Sequence, residues 1–234
     1  MLSSTGVAGY PESYFREPDR VLWARRFAVP VARDATFNYR AFAEGALRAG
    51  STPNGVFAAR VMWGSLQHMV SGLTPHQDGR SDLDVLVDAF GPLHLVHVRR
   101  EDVVAQAVSW ARVEQTGYWQ QGDRLSTEPR LDLGQIDGLV HTIQEHNAAW
   151  QSWFGGQGAR PYPVTYEELV ADPGVIVKEI LHHLNAATPS GWRSWSPHSR
   201  QADDVNDDWV RRYRRRVVAR YRRTRRSRAP ASMR

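Results

Sequence analysis

Two arginines, Arg99 and Arg100, stand between an apolar run and an amphipathic one. The run Leu93-His94-Leu95-Val96-His97-Val98 has the length and β-branched content of a short strand. After the arginine pair, Asp102 opens a segment with Val103, Val104, Ala107, Val108 and Ala111 at helical spacing. In an open α/β sheet ligands bind where strands end, and a helix N-terminus there favours an anion. Ser109, about two turns into the helix, adds a hydroxyl donor on the same side. Guanidinium groups and a hydroxyl suit recognition of an anion. A structural βα unit with an exposed arginine pair would leave the same pattern.

Other chemistries find less support. The nine histidines form no metal pattern. His94 and His97, three apart on a strand, face opposite sides. His182 and His183 are neighbours on a helix and do not converge. Asp203, Asp204, Asp207 and Asp208 read as loop or N-cap carboxylates rather than as ligands of a divalent ion. The sequence holds no Walker lysine motif, no dinucleotide fingerprint and no zinc motif, so no metal site is expected.

The elements that must position the arginine pair follow from periodicity. Residues 36–48 predict a helix, with Phe37, Tyr39, Phe42 and Leu47 apolar. Ser51-Thr52-Pro53-Asn54-Gly55 is a turn, and residues 56–63 predict a buried strand. Residues 82–90 predict a helix that Gly91-Pro92 ends. A longer helix over 133–154 stops at Gly155-Gly156, and a strand follows over 161–166. Asp172 is a candidate N-cap, with Pro173 at the first helical position and Val177, Ile180, Leu181 and Leu184 on one face. Residues 17–32 read as irregular. The alternation of strands and helices predicts a three-layer α/β domain with a mainly parallel sheet.

At 234 residues the chain suits one domain with a sizeable core, and 41% hydrophobic content with nine tryptophans argues for a packed globule. The absence of cysteine excludes a disulfide framework and thiol chemistry, and no long apolar run suggests a membrane span or a signal sequence. The chain therefore reads as cytoplasmic. Its pI of 9.9 hides two parts of opposite sign. Residues 211–234 hold twelve arginines and no acid, and the remainder carries 18 basic against 25 acidic residues, a net charge of −7. A basic tail can bind nucleic acid or anionic lipid. It also reads as a final helix from about Asp208, with Tyr213, Val217, Val218 and Tyr221 as a weak apolar stripe, fraying into a solvated arm. The domain body is thus 1–210 and the Arg-rich helix and tail 211–234.

The segment around the arginine pair resembles the bacterial sulfotransferases of the trehalose 2-sulfotransferase family. The likeness rests on Arg100-Glu101-Asp102, Gln106-Ala107-Val108-Ser109, Gln115-Thr116 and Trp119. It continues in family order. Thr5-Gly6-Val7-Ala8-Gly9 with Pro11 resembles the early acceptor loop, and Pro53-Asn54-Gly55-Val56 leading to Val61-Met62-Trp63 resembles the second strand. Arg60 stands where the family usually has lysine. Val164-Thr165-Tyr166-Glu167-Glu168-Leu169 resembles the strand–helix junction common to sulfotransferases. Arg200-Gln201-Ala202-Asp203, Asp208-Trp209-Val210 and Arg212-Tyr213 resemble the C-terminal signature. The resemblance runs from Thr5 to about Tyr213.

The resemblance implies a P-loop-hydrolase-like fold and a sulfotransferase that takes its sulfuryl group from PAPS (3′-phosphoadenosine 5′-phosphosulfate). The acceptor it implies is a carbohydrate hydroxyl, on trehalose or a similar sugar. It places Arg100 and Ser109 on the 3′-phosphate of PAPS, and Arg200 and Gln201 over the nucleotide or acceptor, unless Arg200 pairs with Asp203 or Asp204. It assigns Pro11, Ser13, Tyr14 and Phe15 to the acceptor surface. The family's general base is a Glu just before an aromatic pair; here that position holds Ser13, and Glu12 is one residue earlier. Glu12 is the candidate base, or else a surface carboxylate. The resemblance to the trehalose-specific members also implies a homodimer. The family's N-terminal strand, phosphosulfate loop and helix have no counterpart in this sequence, so impaired turnover is expected. A catalytically inactive nucleotide-binding relative is the alternative, and an RNA-binding protein acting through the arginine tail is a less favoured one.

Overall fold

The computed structural model describes residues 1–74, 79–117, 128–194 and 204–227, with side chains in the last stretch as far as Arg220. In chain order the elements are α1 (Arg20–Arg26), α2 (Tyr39–Gly50), α3 (Trp63–Leu73), α4 (Asp82–Phe90), β1 (Val96–Arg99), α5 (Val103–Thr116), α6 (Leu133–Gly156), β2 (Tyr162–Thr165), α7 (Tyr166–Ala171), α8 (Pro173–His183) and α9 (Asp204–Ser227). The chain is a helix-rich α/β protein with a small parallel sheet. β1 pairs β2 in parallel, from Val96 opposite Tyr162 to Arg99 opposite Thr165. Among the described residues no helix is long and apolar enough to cross a membrane.

Local sequence sets the helix starts. A short polar side chain accepts an orphan first-turn amide at several of them. Asn38 accepts from Ala41 at 3.1 Å, Ser81 from Asp84 at 3.1 Å, Asp102 from Ala105 at 3.0 Å and Asp172 from Val175 at 3.0 Å. At the end of β2, Thr165 and Glu168 form a reciprocal capping box that turns the strand into α7. The helices expected at 82–90 and behind Asp172-Pro173 form there. The helix expected over 36–48 starts at Tyr39, that over 133–154 runs through both glycines to Gly156, and the last begins at Asp204 rather than Asp208.

Two expectations need correction. Residues 56–63 form no ladder: they make isolated bridges, Ser51 with Phe57 and Glu12 with Ala59, and Trp63 opens α3. The partners available to this stretch are a turn and a loop, which offer a few backbone groups each. Residues 17–32 are not all irregular, since a 3-10 turn at Glu17–Asp19 leads into α1. Ala24 is the buried residue of α1, so the helix has almost no apolar periodicity to read.

The chain divides into two compact units, Met1–Arg99 with Ala148–Ser196 and Arg100–Asn147 with Pro197–Arg234. The core of the first is aromatic. Phe15 is edge-on to Phe42 at 5.6 Å and to Phe90 at 5.7 Å, and Tyr14 meets Trp23 at 5.0 Å. Within the same unit Trp153 donates to Asp82 at 2.8 Å. The second unit is built from α5, the first turns of α6 and α9. Ala107, Val108 and Ala111 are fully buried, with Ile136, Ile143, Trp209, Val210 and Tyr213 completing that core.

Candidate active site

The first unit carries the loop of residues 9–16. It leaves Gly9, which has φ +74° and where a Cβ would stand 2.4 Å from the Ala58 nitrogen, so only glycine fits this close approach. The Gly9 amide donates to Thr52 Oγ1 at 3.2 Å and the Tyr10 amide to the Gly50 carbonyl at 2.8 Å. The Asn54 side chain donates to the Val7 carbonyl at 2.9 Å, so the 52–55 turn grips the start of the loop. Further on, the Arg60 amide donates to the Glu12 carbonyl at 2.9 Å, and the Tyr14 hydroxyl closes the loop on the Tyr10 carbonyl at 2.8 Å.

This framework sorts the side chains. Ser13, Tyr14 and Phe15 are buried, at 8%, 2% and 1% exposure. Pro11 is half-buried and Glu12 is exposed. Arg60 Nε donates to Ser13 Oγ at 2.8 Å, a link between residues the sequence holds far apart. Burial, and then the negative charge of Glu12, push the Tyr14 phenol above its ordinary pKa. Glu12 is thus a carboxylate with a fixed backbone and an exposed side chain.

The second unit carries the start of α5. Asp102 caps the helix, and both its oxygens accept from Arg214 Nη2 of α9 at 2.8 Å. Burial acts to raise the Asp102 pKa, but the Ala105 amide, Arg214 and Arg100 outweigh it and hold the carboxyl below its ordinary value. Arg100 is therefore a near neighbour of this cap. Helical register puts Ser109 on the face headed by Asp102 and Gln106, at i, i+4 and i+7. Ser109 is half-buried. The end of α5 is tied to α6 through Gln115 and Gln135, 2.7 Å apart, and its middle to α9 through Arg112 Nη1 on Asn206 Oδ1 at 2.7 Å.

Of the residues singled out in the sequence, Arg100 and Ser109 share the second unit and Pro11, Glu12, Ser13, Tyr14 and Phe15 the first. Arg200 and Gln201 lie outside the described residues, as does Trp119. Among the described residues no three His, Cys, Asp or Glu side chains gather as a metal site. Two contributors were not read from sequence: the grip of Arg60 on Ser13 and that of Arg214 on Asp102. Their only sequence trace is arginine in place of the family's lysine at position 60, and a run of arginines that hides the individual one.

The family model described as Stf0 sulphotransferase matches residues 1–216. The trehalose 2-sulfotransferase of Mycobacterium tuberculosis is 31% identical over 231 residues, spanning 91% of this chain and 81% of the relative. That of Mycolicibacterium smegmatis is 31% identical over 172 residues, spanning 71% of this chain and 63% of the relative, less than two thirds of its length. A match over residues 1–216, most of the chain, shows that the chain belongs to the Stf0 sulphotransferase family and is a sulfotransferase.

Proposed function

We propose that this sulfotransferase moves a sulfuryl group from PAPS to a carbohydrate hydroxyl, on trehalose or a similar sugar. The observation that carries the reading is the exposed Glu12 carboxylate on a loop whose next three side chains are buried. The named activity of both relatives supports the choice of sugar. In the proposed step Glu12 takes the proton of the acceptor hydroxyl as that oxygen bonds to sulfur. The bond from sulfur to the 5′-phosphate oxygen breaks, releasing PAP (adenosine 3′,5′-bisphosphate). Sulfuryl transfer resembles phosphoryl transfer in relying on positioning and charge stabilisation.

The donor set of the second unit fits a phosphate. Arg100 offers a planar fork of N–H donors and Ser109 a hydroxyl, beside a helix start, and a guanidinium suits the 3′-phosphate of PAPS better than a point charge would. By the family resemblance Arg200 and Gln201 would act over the nucleotide or the acceptor. On the acceptor side Pro11 and Glu12 would meet the sugar, with Ser13, Tyr14 and Phe15 giving the loop its shape. The wider reading is a three-layer P-loop-hydrolase-like body over 1–210 with a basic helix and tail over 211–234, acting as a cytoplasmic homodimer.

Transfer of labelled sulfate from PAPS to trehalose, with other disaccharides and monosaccharides alongside, tests the activity. Label in a sugar product is expected. Transfer to no carbohydrate would overturn the acceptor assignment, and a single sedimenting species of monomer mass at micromolar protein would overturn the dimer.

A further inference from the structure

We propose that Arg214 is a positioning residue of the donor site: its guanidinium offsets the charge of the Asp102 carboxylate, so that this carboxylate opposes the pull of the arginine-bearing helix start on an anionic ligand less. The proposal rests on the donor reading given above. Its starting point is a conflict in the second unit. A helix start with Arg100 beside it suits an anion, yet the residue capping that helix is itself a carboxylate. An uncompensated Asp102 would repel a phosphate and draw in the Arg100 guanidinium.

The structure resolves the conflict from the far end of the sequence. Arg214 Nη2 stands 2.8 Å from both Oδ1 and Oδ2 of Asp102, while Oδ1 still accepts the Ala105 amide at 3.0 Å. One carboxylate thus caps the helix and cancels its charge against α9. Arg214 is not carried on a loose arm. The preceding residue, Tyr213, is buried and donates to Asp137 Oδ1 at 2.6 Å, Trp209 and Val210 are buried in the same core, and Asn206 accepts from Arg112 on α5. α9 is therefore anchored over two turns before it presents Arg214.

Stability alone does not account for the pair. The two side chains are 56% and 36% exposed, and ion pairs this open contribute little to folding. What the pair does change is the charge beside Arg100.

The test is calorimetric titration of PAP into the full chain. The proteins are the unsubstituted chain, Arg100→Ala, Arg214→Ala, Arg214→Lys, Asp102→Asn and the double variant Arg214→Ala with Asp102→Asn. Arg214→Ala is expected to weaken PAP binding about fivefold, the scale of one partly screened charge. Arg214→Lys should recover most of that loss because it restores the charge. The decisive protein is the double variant, in which the side-chain amide oxygen at position 102 still accepts the Ala105 amide but carries no charge. It should bind within about twofold of the unsubstituted chain, since only a neutral hydrogen-bond partner differs.

A double variant as weak as Arg214→Ala would mean that Arg214 acts on the helix rather than on the charge, and the proposal would fall. PAP binding that is lost in Arg100→Ala but unchanged in Arg214→Ala would remove this proposal and leave the donor reading standing. No PAP binding by the unsubstituted chain would remove both.

Discussion

Arg60 Nε donates to the Ser13 hydroxyl at 2.8 Å, and the Arg60 amide donates to the Glu12 carbonyl at 2.9 Å, so one residue holds both the backbone and the buried side chain of the loop that carries Glu12. Arg60→Ala leaves Ser13, at 8% exposure, with only the weak acceptor Met62 Sδ at 3.9 Å. The expected loss is about 1–2 kcal/mol of folding stability, the cost of stranding a buried polar group. Chemical denaturation measures it, and a midpoint equal to that of the unsubstituted chain would show that the contact is slack.

Glu12→Gln keeps the loop intact, because the neighbours contact the Glu12 backbone rather than its side chain in the hydrogen bonds described. Turnover should drop by about 10²–10⁴-fold, the usual contribution of a general base. PAP affinity should hold, as read by calorimetry. Turnover reduced less than tenfold would move the proton transfer to another group.

On the donor side, Arg100→Ala should weaken PAP binding by at least ~1.5 kcal/mol, as for one charge-assisted contact, and Ser109→Ala by about 0.5–1.5 kcal/mol. Equilibrium titration separates the two magnitudes. Equal and negligible effects would detach the start of α5 from the nucleotide.

Burial, and next the hydrogen bond to Asp137, push the Tyr213 phenol from 10.0 to about 12. A group whose folded pKa is raised stabilises the fold below its unfolded pKa and loses that contribution as pH climbs through the folded value. The stability advantage of the unsubstituted chain over Tyr213→Phe, about 1 kcal/mol at neutral pH for one hydrogen bond, should therefore shrink between pH 10 and about 12. Denaturation curves across that range check it, and an advantage that grows with pH would contradict the sign.

Sequence patterns carried much of this structure where a local signal existed. Asp102 ahead of α5 and Asp172-Pro173 ahead of α8 each announce a helix start by a side chain that the structure shows accepting a first-turn amide. α3 carried no such signal. Its N-cap is Met62, which has no acceptor to offer, and Val61-Met62-Trp63 prolongs an apolar run that reads as strand. The site divides the same way. Arg100 and Ser109 lie within ten residues of each other and were legible as a pattern, whereas the partners of Ser13 and Asp102 are 47 and 112 positions away. No periodicity spans such separations; only folding brings those pairs together.

The buried run Ser13-Tyr14-Phe15 directly after exposed Glu12 has a bearing on how this enzyme could change its acceptor. In the proposed acceptor surface specificity and cohesion fall on adjacent letters, and one of them, Phe15, sits between Phe42 and Phe90 in the aromatic core. A lineage exploring new sugars by drift at 13–15 would lose folded protein faster than it gained activity. The evolvable positions are Tyr10 and Pro11, which face outward or half outward and border the same carboxylate. A library built on those two codons should yield more folded variants, and more altered acceptors, than one of equal size built on the next three.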